Sequence, residues 1–367
     1  MMMGTARWTY NQCVEAITTK QATLTKKSLR AHCVNSDGKK IREKGFEWVT
    51  DTPYEIRDQA MEDALDAFKI NLNLQKAGKR PKGFRVNFRR KGFRCGSFKI
   101  IKKLWSSGEI APRKVGMGPF RSSEPLPLKL DAEASLIQEA GNWYITLVKE
   151  VKERETSSLT TTTNKGRICS IDPGVRTFAT VYDPINNKVY KWGDKDASYI
   201  TKLCLKMDGL IGKMTKVKAK VRYNMKKAVW RIRSRIKNVI NEFHKKFVTW
   251  LSTNYEYILV PTFNAHQMCG KRKRRINNKV VRSMLNWCHG RFRERLSFKS
   301  VLCTQIPVLE AHTSQVCSEC GHLWRQLKGQ KIYKCQQCRS VMDRDCNGAK
   351  NIFMRWLIST SEASQSS

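Results

Sequence analysis

The chain has 367 residues, with 70 Lys or Arg against 31 Asp or Glu, a formal net charge of +39. That length holds roughly two or three domains with at least one sizeable core. So large a positive excess marks a surface for phosphates, each of which releases counterions when neutralised. No run approaches the ~18 apolar residues of a spanning helix, and the start, MMMGTARW, lacks a signal-peptide pattern. Neither a membrane nor a small-molecule substrate is expected. Of the 13 cysteines, nine are scattered singly, which reads as thiols of a reducing, intracellular compartment.

In chain order, residues 8–32 and 54–76 read as helices. The second is opened by Pro53 and striped by Ile56, Ala60, Ala64, Phe68, Ile70 and Leu72. From Phe84 to Lys149 the runs FRVNFRR, RCGSFKII, ASLIQEA and NWYITLVKEV are short and partly alternating. They predict a small β-structure with a hairpin turn at Gly141-Asn142. Its basic residues interleave with Phe84, Phe88, Phe93 and Phe98, a pattern that suits base stacking and a core-and-solvent alternation equally. The run TSSLTTTTN has no periodicity and reads as a linker.

Beyond it, Gly166 to Asp172 is a short strand ending in an acid, and Pro173-Gly174 turns the chain. Phe178–Tyr182 and Val189–Trp192 follow as strands about the turn Asp183–Lys188. Val217, Val221, Met225, Ala228, Ile232, Ile236, Ile240, Phe243 and Phe247 then recur at helical spacing. From Thr201 to Trp250, 15 Lys or Arg face two acids. One stripe is core, and the other is a basic face that would repel itself without a polyanion. Arg231, Arg233 and Arg235 are its candidate phosphate contacts. Tyr257–Val260 reads as a buried strand. A second basic stretch carries Lys271, Arg272, Lys273, Arg274 and Arg275; a nuclear localisation signal is the alternative, but within so basic a chain they are assigned to phosphate. A helix over Val280–Phe298, a strand over Val301–Leu309 and a closing helix over Ala349–Ile358 complete the chain, before the polar tail SEASQSS.

The segment from Val308 to Ile352 organises the rest. Two CxxC turns, Cys317/Cys320 and Cys335/Cys338, lie fourteen residues apart. Two redox pairs are the alternative, but the paired spacing supplies the four thiolates of tetrahedral zinc. Such a zinc is structural, since four protein ligands leave no open position. Trp324, Lys328, Lys331 and Tyr333, between the turns, suit a ribbon lying on a nucleic acid. Any chemistry must come from carboxylates on either side. Three strands, a helix, a strand, a helix, a strand and a final helix is the order of an RNase H-like nuclease core, an α/β fold. Asp172, Glu310 and Asp345 fall at the three acid positions of that core. Three carboxylates suit two Mg²⁺ ions about 4 Å apart, which clamp the attacking and leaving oxygens of an in-line displacement.

SIDPGVRTFATVYDP resembles the first RuvC motif of the transposon-encoded TnpB nucleases, and HTSQVCSECG, KCQQC and DRDCNGAKNI resemble their zinc ribbon and third RuvC motif. RRINNKVVRSMLNWCHGRFRERL, RWTYNQC and DTPYEIRDQAMEDA are more similar to the eukaryotic and viral Fanzor branch. The resemblance covers about Trp8 to Trp356. It implies an RNA-guided DNA endonuclease of transposon origin, with DNA and a guide RNA as partners. It further implies structural zinc, two catalytic Mg²⁺, cleavage to 3′-hydroxyl and 5′-phosphate ends, and a nuclear location in a eukaryotic or viral host. The implied division is a nucleic-acid-recognition region over 1–151 and a linker over 152–166. A RuvC-like core follows over 167–310 and 342–358, interrupted by a zinc ribbon at 311–341, with a tail at 359–367. Thr262 stands where many relatives carry the second catalytic glutamate; Glu310 matches a relocated one. Only seven residues precede Trp8, where the family's first wedge strand is expected. A transposon-derived RNA- or DNA-binding protein that no longer cuts is the alternative.

Overall fold

The computed structural model describes residues 1–43, 45–81, 83–90, 96–112, 118–139, 141–148, 165–262, 268–270, 276–299, 302–308, 313–325, 327 and 330–365. The chain divides into two compact units, Met1–Arg154 and Glu155–Ser367. Among the described residues, no helix is long and apolar enough to cross a membrane.

In the first unit, helices α1 (Met2–Thr18) and α2 (Tyr54–Lys76) bury Tyr10, Cys13 and Val14 with Met61, Ala64 and Leu65. The expected helix over 8–32 is therefore split. The chain leaves α1 through Lys20, at a positive φ of 60°, and only a single turn, Lys26–Leu29, and a short π-helix follow. Strands β1 (Gly96–Ile100), β2 (Ala134–Glu139) and β3 (Asn142–Thr146) form an antiparallel sheet in that order. The β2–β3 hairpin turns at Gly141, where a φ of 88° favours glycine. FRVNFRR forms no strand or helix and joins no sheet; the Asn11 amide holds both backbone groups of Arg89 instead. Phe98 is core and Phe88 is half exposed, while Phe93 lies outside the described residues.

The second unit is built on one mixed sheet. Its strands are β4 (Ile168–Pro173), β5 (Ala179–Asp183), β6 (Lys188–Trp192), β7 (Tyr257–Pro261) and β8 (Thr304–Val308), in the order β8-β7-β4-β5-β6. β4, β5 and β6 are antiparallel neighbours, whereas β7 and β8 run parallel to β4 on its other side. Two hairpin strands on one side of the first strand and two crossover strands on the other make an RNase H-like core. β4 is buried on both faces, as its largely apolar run Ile168-Cys-Ser-Ile requires. Cys169 and Ile171 enter the main core with Phe247, Leu251 and Ile258. Ser170 and Asp172 alternate to the opposite face.

The helix read over Val217–Phe247 is α4 (Ala219–Asn254), and a helix that its stripe did not foresee, α3 (Asp194–Met214), precedes it and packs on it. Gly209 and Gly212 weaken the end of α3, and the Thr215 hydroxyl donates back to the Gly212 carbonyl at 2.8 Å. The apolar stripe of α4 is core only from Val229 onward, and Val221 is 47% exposed. Periodicity reported which side is apolar, not how far a partner extends. The helix over Val280–Phe298 is α5 (Asn278–Trp287) and α6 (His289–Ser297), broken at Cys288 with φ 50°. The break turns both Trp287 and His289 inward, onto Phe178. The last helix, α7, spans Arg344–Gln365, longer at both ends than expected.

His289 stacks on Phe178 at 4.6 Å, and His244 donates Nε2–H to the Trp287 carbonyl at 3.0 Å. Burial pushes His244 down to about 4 and His289 down to about 3. Because folding penalises the charged rings, the stability they contribute is full above their ordinary value of 6.5. It is lost as pH falls through that value towards the folded ones. His244→Leu with His289→Leu should flatten the fall in urea midpoint between about pH 6.5 and 4.5. An undiminished slope would assign the acid sensitivity to carboxylates.

Candidate active site and metal centre

Asp172 lies near the end of β4, paired with Thr180, on the face that α7 covers. Ser170, on the same face, donates its hydroxyl to the Ala349 carbonyl at 2.6 Å. The next contact along is steric. A Cβ on Gly348 would overlap Oδ2 of Asp172 and lie 3.1 Å from its Cγ, so the carboxylate rests on bare helix backbone. Asp345 stands three residues before Gly348, on the side of α7 that meets Asp172.

Asp343 caps α7, accepting the N–H groups of Asp345 at 2.9 Å and Cys346 at 3.4 Å. Lys191 of β6 donates to its other oxygen at 2.6 Å. Burial raises the Asp343 carboxyl, but Lys191 and the two N–H groups outweigh it and hold the carboxyl below the usual range. Asp345 moves the other way. Burial and then the Asp343 charge push it up, against Arg344, Lys191 and Arg176. A half-buried acid beside a second acid is suited to a divalent cation, whose charge offsets both penalties. Asp183, which is buried, is a structural acid: it accepts from Arg167 at 2.8 Å, from Tyr255 at 3.2 Å and from Asn186 at 2.9 Å.

Glu310 lies outside the described residues. Immediately before it, Val308 pairs with Pro261, and the Thr262 N–H donates to the Val308 carbonyl at 3.3 Å.

The four cysteines converge. Their sulfurs all lie within 4.8 Å of one another, with Cys317 and Cys338 at 3.7 Å and Cys320 and Cys335 at 3.5 Å. A tetrahedron with Zn–S bonds of ~2.3 Å has edges of about 3.8 Å, so the donor set fits zinc. Each knuckle closes on a residue at positive φ, Gly321 at 75° and Arg339 at 61°. Burial raises the Cys317 thiol, but the Ser340 hydroxyl at 3.4 Å and nearby N–H groups bring it below its ordinary value. The same hydroxyl, 3.1 Å from Cys338, leads the effects that lower that thiol to about 6. Thiols so lowered favour the thiolate that a metal needs. Tyr333 is fully buried, with Trp324 edge-on at 5.7 Å. Tyr333 belongs to the ribbon's own core, and Trp324 packs partly buried against it. Metal analysis should give about one zinc per chain, and Cys317→Ser with Cys338→Ser should lose it; full zinc in that variant would refute the site.

Arg231, Arg233 and Arg235 are exposed on α4. Helical spacing puts Arg231 and Arg235 on one side and Arg233 round the helix. Arg233 lies over Trp230 at 4.9 Å, and Arg235 donates to the Tyr199 hydroxyl at 2.6 Å. Lys271, Arg272, Arg274 and Arg275 lie outside the described residues.

Gly348, Lys191, Arg176 and Ser340 were not foreseen from sequence. Only Gly348 left a signal there, as an isolated glycine just inside a helix, which usually marks a close approach.

The family model of the Cas12f1-like TNB domain matches residues 289–352, the stretch that holds the four cysteines and Asp345. A protein of Paramecium bursaria Chlorella virus 1 that bears a transposase name is 27% identical over 374 residues, 96% of this chain and 82% of its own length. TnpB-like proteins of Acanthamoeba polyphaga mimivirus match as well, and the chain spans less than half of their length. The chain is TnpB-like. An Escherichia coli (strain K12) protein, InsQ, that bears the name of an RNA-guided DNA endonuclease is 24% identical over 323 residues. That alignment covers 83% of this chain and 75% of InsQ. The structure of a Cas12f1–sgRNA–target DNA complex overlays 96% of the TnpB-like chain and 92% of its own at 17% identity and a TM-score of 0.38. The fold assignment accordingly rests on the strand order.

Proposed function

We propose that this TnpB-like protein is an RNA-guided DNA endonuclease of transposon origin, nearest the Fanzor branch by its motifs. It would hydrolyse DNA phosphodiester bonds with two Mg²⁺ ions held by Asp172, Glu310 and Asp345. The observation that carries this reading is the seating of Asp172 against Gly348, one helical turn from Asp345, in an RNase H-like core. Bound Mg²⁺ would supply Lewis acidity and charge neutralisation at the phosphate. The chain's part is to hold the carboxylates in one place, with Ser170 fixing strand to helix and Lys191 fixing the cap that precedes Asp345. Water attacks phosphorus, the P–O3′ bond breaks, and the products carry a 3′-hydroxyl and a 5′-phosphate.

DNA and a guide RNA are proposed as partners from the name that InsQ bears and from the net charge of +39. Arg231, Arg233, Arg235, Lys271, Arg272, Arg274 and Arg275 would contact their phosphates. In this reading residues 1–151 recognise nucleic acid and 311–341 form a structural zinc ribbon. Residues 167–310 and 342–358 cut.

The test is to purify the protein with its co-expressed flanking sequence, sequence the bound RNA and offer a matching DNA target. Mg²⁺-dependent cutting by the wild type, with binding but no cutting by Asp172→Ala, is the expected result. Binding without cutting by the wild type would replace the nuclease with a non-cutting nucleic-acid-binding protein.

A further inference from the structure

The ribbon is fastened to α7 on both sides of Asp345. Upstream, β10 (Val341–Asp343) leads into α7 while paired with β9 (Ile332–Lys334), and the Arg344 N–H donates to the Lys331 carbonyl at 2.8 Å. Downstream, Asn347 is fully buried, and its amide grips the two peptides that flank Cys317. Its Oδ1 accepts the Ser318 N–H at 2.9 Å, and its Nδ2 donates to the Val316 carbonyl at 2.7 Å. A donor on one side and an acceptor on the other fix the orientation of the amide. One turn on, buried Asn351 donates to the same Val316 carbonyl and to that of Thr313, both at 2.7 Å. Residues four apart share a helix face, so α7 offers the ribbon Asn347 and Asn351 while Gly348 between them meets Asp172.

A zinc-site thiolate is thus connected to the turn that carries Asp345 through one asparagine side chain. Cys317, Cys320, Cys335 and Cys338 would hold a zinc, and holding it would fix the peptides at Val316 and Ser318. Those peptides are the partners of both ends of the Asn347 amide. Buried amides left unpaired are costly, so a ribbon that opens pulls on α7, and an α7 that shifts pulls on the ribbon.

We propose that Asn347 and Asn351 are positioning residues that tie the placement of Asp345 beside Asp172 to the metal-loaded state of the ribbon. This rests on the reading of Asp172 and Asp345 as a divalent-cation site. Coupling of this kind is reciprocal: loosening the clamp weakens both metals, and losing zinc weakens the catalytic one.

The experiment uses the full-length, zinc-loaded protein without nucleic acid and with Mn²⁺ as a paramagnetic stand-in for Mg²⁺. Two quantities are read: the rate of zinc transfer to a chelator, and Mn²⁺ binding from the loss of the free-ion spectrum. In Asn347→Leu with Asn351→Leu, zinc transfer should be at least about tenfold faster and Mn²⁺ binding about tenfold weaker. Lys350→Met removes the bridge to Glu319 at 3.1 Å and the approach of the ammonium to the Tyr182 ring at 5.9 Å, neither of which involves Asn347 or Asn351, and should leave both near wild type. Should the double variant not fold, Asn351→Leu alone, which keeps both bonds of Asn347, should show the same two shifts in smaller measure. Wild-type zinc transfer and Mn²⁺ binding in these variants would overturn the coupling. If the wild type binds no Mn²⁺ that Asp172→Ala removes, the cation-site reading itself fails and takes the coupling with it.

Discussion

Gly348→Ala is expected to remove cleavage while leaving the fold at least as stable as the wild type. Two effects of the added methyl run in opposite directions. Inside a helix, alanine is favoured over glycine by up to about 1 kcal/mol, which raises stability. The same methyl would overlap Oδ2 of Asp172. That oxygen ends a short side chain, so the carboxylate swings aside and the backbone stays. A displacement of about 1 Å at a reacting centre costs on the order of 10²-fold in rate. The outcome to look for is therefore an unchanged or raised melting temperature, retained target binding, and cleavage reduced by about 10²-fold or more. A melting temperature that falls together with activity would make Gly348 a packing residue only. Undiminished cutting would mean that Asp172 does not act from this seat.

The larger loss is expected at Glu310. Two positions compete for the second carboxylate, Thr262 just past β7 and Glu310 two residues past the end of β8 in the sequence. β7 ends at Pro261, opposite Val308 of β8, and Thr262 is bonded to the Val308 carbonyl; Glu310 follows Val308 by two positions. A threonine hydroxyl carries no charge to offset a divalent cation, whereas a carboxylate does. Glu310→Ala should reduce Mg²⁺-dependent cleavage to background with guided binding intact, and Thr262→Ala should cut nearly as the wild type. A matched guide-and-target assay on both variants separates the possibilities. Robust cutting by Glu310→Ala would remove that residue from the site, and loss of cutting in Thr262→Ala alone would move the site to the end of β7.

Much of this architecture is written locally. Gly166 to Asp172 reads as a strand because its apolar run is short and bounded by glycine and proline, and the paired CxxC turns announce their metal by spacing alone. What escaped the sequence depends on partners distant along the chain. The Cys288 break is invisible because a non-glycine residue adopts a left-handed conformation there, compelled by the packing of Trp287 and His289 on Phe178. The stripe from Val217 marks an apolar side of α4 but not that Val221 has no cover. Trp324 and Tyr333, beside lysines, suited a ribbon lying on a nucleic acid; once folded, Tyr333 is buried in the ribbon with Trp324 packed partly buried against it. Asn347 reads as a poor helix former until its two ribbon peptides are seen.

The bond from Ser170 to the Ala349 carbonyl joins residues 179 positions apart, which gives assembly of the site a clock. Synthesis at 5–20 residues per second separates the two by roughly ten to thirty-five seconds. For the later part of that interval the nascent chain carries Asp172 and the basic helices α3 and α4, but not the helix that seats Asp172. Long-range closure of this kind also tends to come late in folding, because the intervening loop must be ordered first. The growing polypeptide is thus expected to engage nucleic acid before it can sever any. On the proposed function, any capacity to cut is deferred until α7 docks on β4.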